Sequence, residues 1–201
     1  MLNSKLKLLI CLITSLSILA SPAAIHAQPQ AIVNVTTSVQ ACLLDIVVRP
    51  EARVPAINNW DSIVDITILR NDNTLLAAFT LNTNIQGLGT YDFCLNGIFP
   101  TPGTYKFYAK GISHLRKRFL GVSTFNAYHD LVNLTGASNF LIAGEVSNVI
   151  DNKINSLDMS YVQNKIATTD YKADLNQDGI VSSLDTTIVQ NNYFKVGDPM
   201  P

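Results

Sequence analysis

A chain of 201 residues, 47% hydrophobic and 14% charged, is long enough for one ordinary domain and a small second one. Its formal charge of -1 at pH 7 offers no basic surface for nucleic acid. The charge is unevenly placed: residues 28–135 hold eight Lys/Arg against seven Asp/Glu, and residues 136–201 hold four against eight, so the acidity lies in the tail, where divalent cations could neutralise it.

At the N-terminus, Lys5 and Lys7 precede an apolar run from Leu8 to Ala20, followed by Pro22 and a small-residue exit ending at Ala27. The run is 13 residues, short of the ~20 that a spanning helix needs. Residues 1–27 therefore read as a secretory signal peptide rather than a short membrane anchor, with a mature chain starting at Gln28 and destined for the outside of the cytoplasmic membrane. Loss of Lys5 and Lys7 takes the formal charge to -3. Cys11 leaves with the leader. Cys42 and Cys94 remain, each in an apolar run, and in an oxidising compartment one disulfide between them is the economical reading, with two separate buried thiols as the alternative. A bridge would stabilise by about 2–4 kcal/mol, mainly through the unfolded chain.

From Ala31 to Leu134 the chain is a series of short segments rich in Val, Ile, Thr, Tyr and Phe, interrupted by turn residues, which is a strand pattern. The expected strands are Ala31–Ser38, Cys42–Val48, Ser62–Arg70, Thr74–Leu81, Thr90–Asn96, Gly103–Lys110 and Leu115–Val122. Asn71-Asp72-Asn73 and Phe99-Pro100-Thr101-Pro102-Gly103 mark turns. In Thr104–Lys110 the residues alternate, with Tyr105, Phe107 and Ala109 on a packed face and Lys106, Tyr108 and Lys110 on a wet one. Residues 28–135 are thus expected to form a small antiparallel β-sandwich.

Near 136–143 the texture changes to frequent Gly, Asn and Asp, and the apolar spacing becomes helical in Leu157–Ile166 and Leu184–Phe194. These two segments are copies: at an offset of 27, six of the ten positions from Ser156 to Lys165 are identical in the second. Residues 136–201 therefore form a small all-α module built on a duplicated loop-helix unit.

The loop of the second copy runs from Asp174 to Asp185. Oxygen-bearing side chains stand at positions 1, 3, 5 and 12 (Asp174, Asn176, Asp178, Asp185), with Gly179 at 6, a backbone carbonyl from Ile180 at 7 and Ser182 at 9. Calcium takes about six to eight oxygens, and a loop coiled tightly around the ion can present them. The first copy fits if two residues are inserted between Ser147 and Asp151. Then Glu145, Ser147, Asp151, the Lys153 carbonyl, Asn155 and Asp158 take the ligand places, and Asn152 replaces the glycine, which Asn can do because it tolerates a left-handed backbone.

With Asp closing the loop, no amphipathic helix leading in, and two copies in about 60 residues, this tail resembles dockerin domains, the calcium-dependent modules that dock onto cohesins. The resemblance implies a cohesin-type protein partner, contacted by the residues before each closing acid: Ser156 and Leu157, Ser183 and Leu184. Identical pairs would let either helix present the same surface. For the leucines themselves the expectation is that both anchor their helices in the small core, which leaves Ser156 and Ser183 as the better contact candidates. Gly103–Lys110 with Leu115–Leu120 looks like the transthyretin- or carboxypeptidase-regulatory-type sandwich modules that precede dockerins in some secreted bacterial proteins.

The β-rich half holds little that resembles catalysis. Its only Glu is Glu51, no carboxylate pair presents a glycosidase acid and base, and His114 and His129 lie apart and read as surface residues. His114-Leu115-Arg116-Lys117-Arg118 reads as a solvated edge strand. Trp60 reads as partly buried core, with stacking on a sugar as its functional alternative. The expectation is a secreted, non-catalytic protein with a calcium-dependent attachment module, with carbohydrate as a possible ligand of the β-half. The rival is a small polysaccharide-active hydrolase tethered by that module.

Overall fold

The alternation of apolar and polar residues that marks the strands also decides which face each buries. In the segment Ile63–Leu69, Val64, Ile66 and Ile68 point inward and are at most 1% exposed, while Asp65 faces out and accepts from Thr80 Oγ1 at 2.7 Å. A computed structural model describes residues 43–53, 60–98, 100–125, 129–135 and 140–201. The signal peptide, the start at Gln28, the expected strand Ala31–Ser38, Cys42 and Phe99 lie outside the described residues.

Seven strands are described: β1 (Leu43–Val47), β2 (Ile63–Leu69), β3 (Leu75–Asn82), β4 (Leu88–Asp92), β5 (Gly103–Gly111), β6 (Lys117–Thr124) and β7 (His129–Asn133). They form a three-stranded sheet in the order β4-β1-β7 and a four-stranded sheet in the order β3-β2-β5-β6. The core between them contains Leu44, Ile46, Val64, Ile66, Ile68 and Phe107, and an aromatic cluster in which Phe125 packs edge-on to Phe93 and Tyr105 at 5.2 and 5.0 Å. Such stacked inner faces form the interior of a sandwich.

Several strand expectations need correction. β1 and β7 pair in parallel, from Leu43↔His129 to Val47↔Asn133, so the sandwich is not wholly antiparallel. The strand expected at Thr90–Asn96 is β4, which ends at Asp92, and Phe93–Gly97 turns back on itself, with Asn96 and Ile98 N–H donating to the Phe93 carbonyl. β7 carries too little pattern to be read from sequence, since Val132 is its one buried residue. On β5, Tyr105, Phe107 and Ala109 do face the core, but Tyr108 on the expected wet face is only 3% exposed. It lines a surface hollow together with Pro199, Met200 and Pro201 from the other end of the chain.

His114 also departs from its surface reading. It is fully buried, and among the described residues neither ring nitrogen has a hydrogen-bond partner. Burial first, then the positive charges of Arg53 and Lys110, hold its pKa well below the ordinary histidine value. The unfolded chain then binds a proton that the folded chain refuses. The fold is unaffected above the unfolded pKa of about 6.5 and loses stability as pH falls below it towards the folded value. His114→Gln should remove this component, so the difference between wild-type and variant melting temperatures should change between pH 7 and pH 5. A constant difference would contradict the assignment. His129, in contrast, is half-exposed and lies 2.9 Å from Asp45.

The tail has two helices, α1 (Ser156–Asn164) and α2 (Ser183–Asn191), at the expected places. Its own core is Ala143, Val146, Ile154, Val162, Ala173, Leu175, Val181 and Val189, completed by Leu115 from the β-half. Leu141, from the chain leading into the tail, is buried in the sandwich core instead. The two cores thus exchange one leucine each, and residues 38–201 form one compact unit. Backbone bonds link the halves at Leu115 N–H to Ile142 O (2.8 Å), Gly144 N–H to Ser113 O (2.8 Å) and Asp198 N–H to Arg116 O (2.8 Å).

Candidate calcium loops and docking face

In the second loop, the chain folds around its own acids. Asp174 is buried and accepts from the backbone N–H groups of Asp178 (3.2 Å) and Gly179 (2.9 Å). Asn176 Oδ1 accepts from Asp178 N–H at 3.1 Å, and Asp178 Oδ1 from Ile180 N–H at 3.1 Å. Gly179 has φ +99°, a backbone that a side chain rarely adopts, and the turn there brings its N–H onto Asp174. The closing residue, Asp185, is fully buried: Oδ1 accepts from Leu175 (2.7 Å) and Asn176 (3.2 Å) N–H, Oδ2 from Ser182 N–H (2.8 Å). Asp185 is also the third residue of α2 and forms a capping box with Ser182. One carboxylate therefore closes the loop and starts the helix.

This loop suits a divalent cation. Burial pushes the Asp174 carboxyl up, and the carboxylates of Asp185 and Asp178 push it further, against the pull of the Gly179 and Asp178 N–H groups. Among the described residues no three His, Cys, Asp or Glu side chains make a metal cluster on their own. The donor set is mixed instead, with the Asn176 amide oxygen and the Ile180 carbonyl beside the acids, which is the chemistry that calcium accepts.

The first loop superimposes on the second in its hydrogen bonds. Asp158 Oδ1 accepts from Val146 (2.8 Å) and Ser147 (2.9 Å) N–H, and Oδ2 from Asn155 N–H (2.9 Å). Glu145 Oε1 accepts from Asn152 N–H, as Asp174 accepts from Gly179. Glu145 thus matches Asp174, and Ser147 matches Asn176, two residues further apart than Asp158 from Asp185, which is the insertion expected from sequence. Asn152 has φ +60°, the left-handed backbone that glycine supplies in the other loop. The duplication continues beyond the loops. Val181 exchanges backbone bonds with Ala167 and Thr168 after α1, and Ile154 with Lys195 and Phe194 after α2.

The ligand sets nevertheless differ. Glu145 Oε2 lies 2.8 Å from Lys110 Nζ on β5, and Lys172 Nζ donates to the Ser147 carbonyl at 2.8 Å. Ser147 turns its hydroxyl to Val149 O at 2.8 Å. Asp151 keeps the second-loop pattern, exposed and accepting from Lys153 N–H at 3.0 Å as Asp178 accepts from Ile180 N–H. The Asn152 side chain bridges outward, accepting from Arg116 N–H at 2.8 Å and donating to Asp198 O at 3.2 Å. Sequence reasoning missed Lys110 and Lys172, because one sits on a strand of the sandwich and the other in the lead-in to the second loop.

The expected docking residues sit on the surface. Ser156 and Ser183 are exposed, and Leu157 and Leu184 are 50% and 58% exposed. The leucines therefore do not anchor the helices, which are held by the fully buried Val162 and Val189. Ile180, Val149 and Ile150 are exposed as well. Of the two cysteines, Cys94 is disulfide-bonded, and Cys42 lies outside the described residues. No described helix is long and apolar enough to cross a membrane.

The family model for the dockerin type I domain matches residues 150–193, so the tail carries a dockerin domain. No curated protein matches the chain. Among solved structures, the chain is similar to one in a C-terminal interface mutant of a type II cohesin–X–dockerin complex from Acetivibrio cellulolyticus, with 19% identity, a TM-score of 0.52, and coverage of 78% of this chain and 98% of that one. An N-terminal interface mutant of the complex from the same organism matches at 21% identity over the same shares, with a TM-score of 0.48. At these identities the first likeness is one of fold.

Proposed function

We propose that the dockerin type I domain at residues 150–193 fastens this protein to a cohesin-type partner in a calcium-dependent way, and that the β-sandwich it carries is a non-catalytic adaptor or binding module. The observation that carries this reading is the pair of half-exposed leucines, Leu157 and Leu184, each with an exposed serine before it and each at the start of an equivalent helix. Because the pair recurs at equivalent positions of two equivalent helices, the same Ser-Leu surface is offered to a partner twice. The similar fold in cohesin–X–dockerin complexes supports a partner of that kind.

In the second loop, Asp174, Asn176, Asp178, the Ile180 carbonyl and Asp185 would hold calcium, which when bound would neutralise the carboxylates gathered at Asp174. The chain's own part is to coil the loop onto Asp174 through the Asp178 and Gly179 N–H groups and to cap α2 with Asp185, which presents Ser183 and Leu184 to solvent. The non-catalytic reading is supported by the fate of Glu51, whose Oε2 accepts from Ala143 N–H (3.0 Å) and Asn192 Nδ2 (2.7 Å) as a structural tie between the halves. The leader at residues 1–27 supports secretion, and a setting in polysaccharide breakdown rests on the dockerin alone. Polysaccharide hydrolysis that disappeared in Glu51→Gln or Asp65→Asn would overturn the non-catalytic part.

The docking part is tested by titrating the mature chain against a panel of cohesins in calcium and in chelator. Binding should require calcium. Either leucine alone should suffice, so Leu157→Asp or Leu184→Asp should weaken binding about two-fold, while the double variant should lose on the order of 30-fold or more, a hot-spot loss of about 2 kcal/mol. Equal affinity of the double variant and the wild type would refute the assigned face.

A further inference from the structure

We propose that the first loop takes no calcium because the chain supplies its own cation: the Lys110 ammonium, seconded by Lys172, stands in for the metal, and the module loads a single ion, in the second loop. The ion count rests on the calcium reading of that second loop; the lysine-filled first loop does not.

The two loops share their scaffold, so the contrast between them isolates the cation. Position 1 is a buried carboxylate in both, and in both it accepts the N–H of position 6. In the first loop the remaining oxygen of Glu145 meets Lys110 Nζ at 2.8 Å, with side-chain exposures of 1% and 14%. Lys110 is held there by its own bond to the His114 carbonyl at 3.1 Å. Lys172 Nζ binds the carbonyl of Ser147, the position-3 residue, and its ammonium lies within the electrostatic reach of Asp158 and Glu145. Two positive charges thus face the position-1 and position-12 acids.

In the second loop, none of the described ion pairs involves Asp174, Asp178 or Asp185. Arg53 is within reach of Asp174, but Tyr171 and Asp61 act on its guanidinium more strongly. Other first-loop features agree with a site that has left metal binding. The Ser147 hydroxyl, at position 3, is committed to Val149 O at 2.8 Å, and the Asn152 side chain turns outward to Arg116 N–H and Asp198 O. Adding a divalent ion beside two ammonium groups would restore the repulsion that the ion normally removes.

The consequence is an asymmetric module. Its first half is assembled by the sandwich, through Lys110, Ser113 and Arg116, and is ready without calcium. Its second half awaits the ion.

The test uses the mature chain with calcium as the probe. Isothermal titration should give one ion per chain, and Asp178→Ala, which alters an exposed residue of the second loop only, should give none. Hydrogen exchange followed in chelator should leave the Val146, Ser147 and Asn152 amides protected while those of Leu175, Asn176 and Gly179 lose protection by ten-fold or more. A second ion in the wild type, an ion retained by Asp178→Ala, or first-loop amides that open on chelation would each overturn the proposal. Absence of any calcium heat, with first-loop amides still protected, would defeat the second-loop reading and leave the lysine assignment standing.

Discussion

Asp185→Ala is expected to abolish calcium loading and to cost about 3–5 kcal/mol, because a fully buried carboxylate with three backbone donors on it disappears. The Leu175, Asn176 and Ser182 N–H groups lose their acceptor together, and α2 loses its capping box. Calcium at 100-fold above its Kd stabilises a folded protein by about 2.7 kcal/mol. The variant should show no such gain, so its melting temperature should be the same in calcium and in chelator. Asp185→Asn separates the two roles. Its amide oxygen can still serve Leu175 and Asn176, but its NH2 faces the Ser182 N–H, so stability should recover in part while calcium binding does not. Calorimetric melting with and without calcium gives both numbers. Calcium stabilisation of Asp185→Ala equal to that of the wild type would show that the second loop is not where calcium acts.

Lys110→Met carries the second large effect. The methionine keeps the length and packing of the lysine stem but removes the charge, leaving Glu145 buried with an uncompensated carboxylate. Breaking a buried pair in this way costs about 3–5 kcal/mol. The loss should be present in full in chelator, where no ion can take the place of the ammonium beside Glu145. Restoring neutrality with Lys110→Met/Glu145→Gln should recover most of the stability, since it is the orphaned charge that destabilises and not the absence of attraction. Denaturant unfolding of the single and double variants reads the difference. A Lys110→Met loss below about 1 kcal/mol, the range of exposed pairs, would place the ion pair in solvent instead.

Sequence and structure agree where the signal is local. The second loop was legible because its ligands lie within one loop and the glycine is at the turn, and the duplication was legible because Ser-Leu-Asp and Val-Gln-Asn recur at one offset. Strands β2 and β3 follow from alternation that matches burial along most of their length, and β5 does so apart from the buried Tyr108. What failed to appear depends on distant partners. His114 sits in a run with Arg116, Lys117 and Arg118 and reads as surface, yet it is fully buried, and the positive charge of Arg53, distant in sequence, acts on it. The helical spacing of Leu157 and Leu184 matches a core stripe, and only the packing of Val162 and Val189 assigns them to solvent. Glu145 reads as a conservative change from aspartate. Its extra reach matters because an ammonium from β5 is at the other end.

The exchange of Leu115 and Leu141 between the two cores removes the hinge that would normally separate a docking module from its cargo. With a flexible linker, the choice between two equivalent leucine faces would be lost on the sandwich, which would tumble either way. Here the mount is stiff. On the docking proposed above, α1 and α2 would aim the sandwich in two different headings from the same anchor, and the duplicated helices would act as a two-position bearing that steers whatever the sandwich presents.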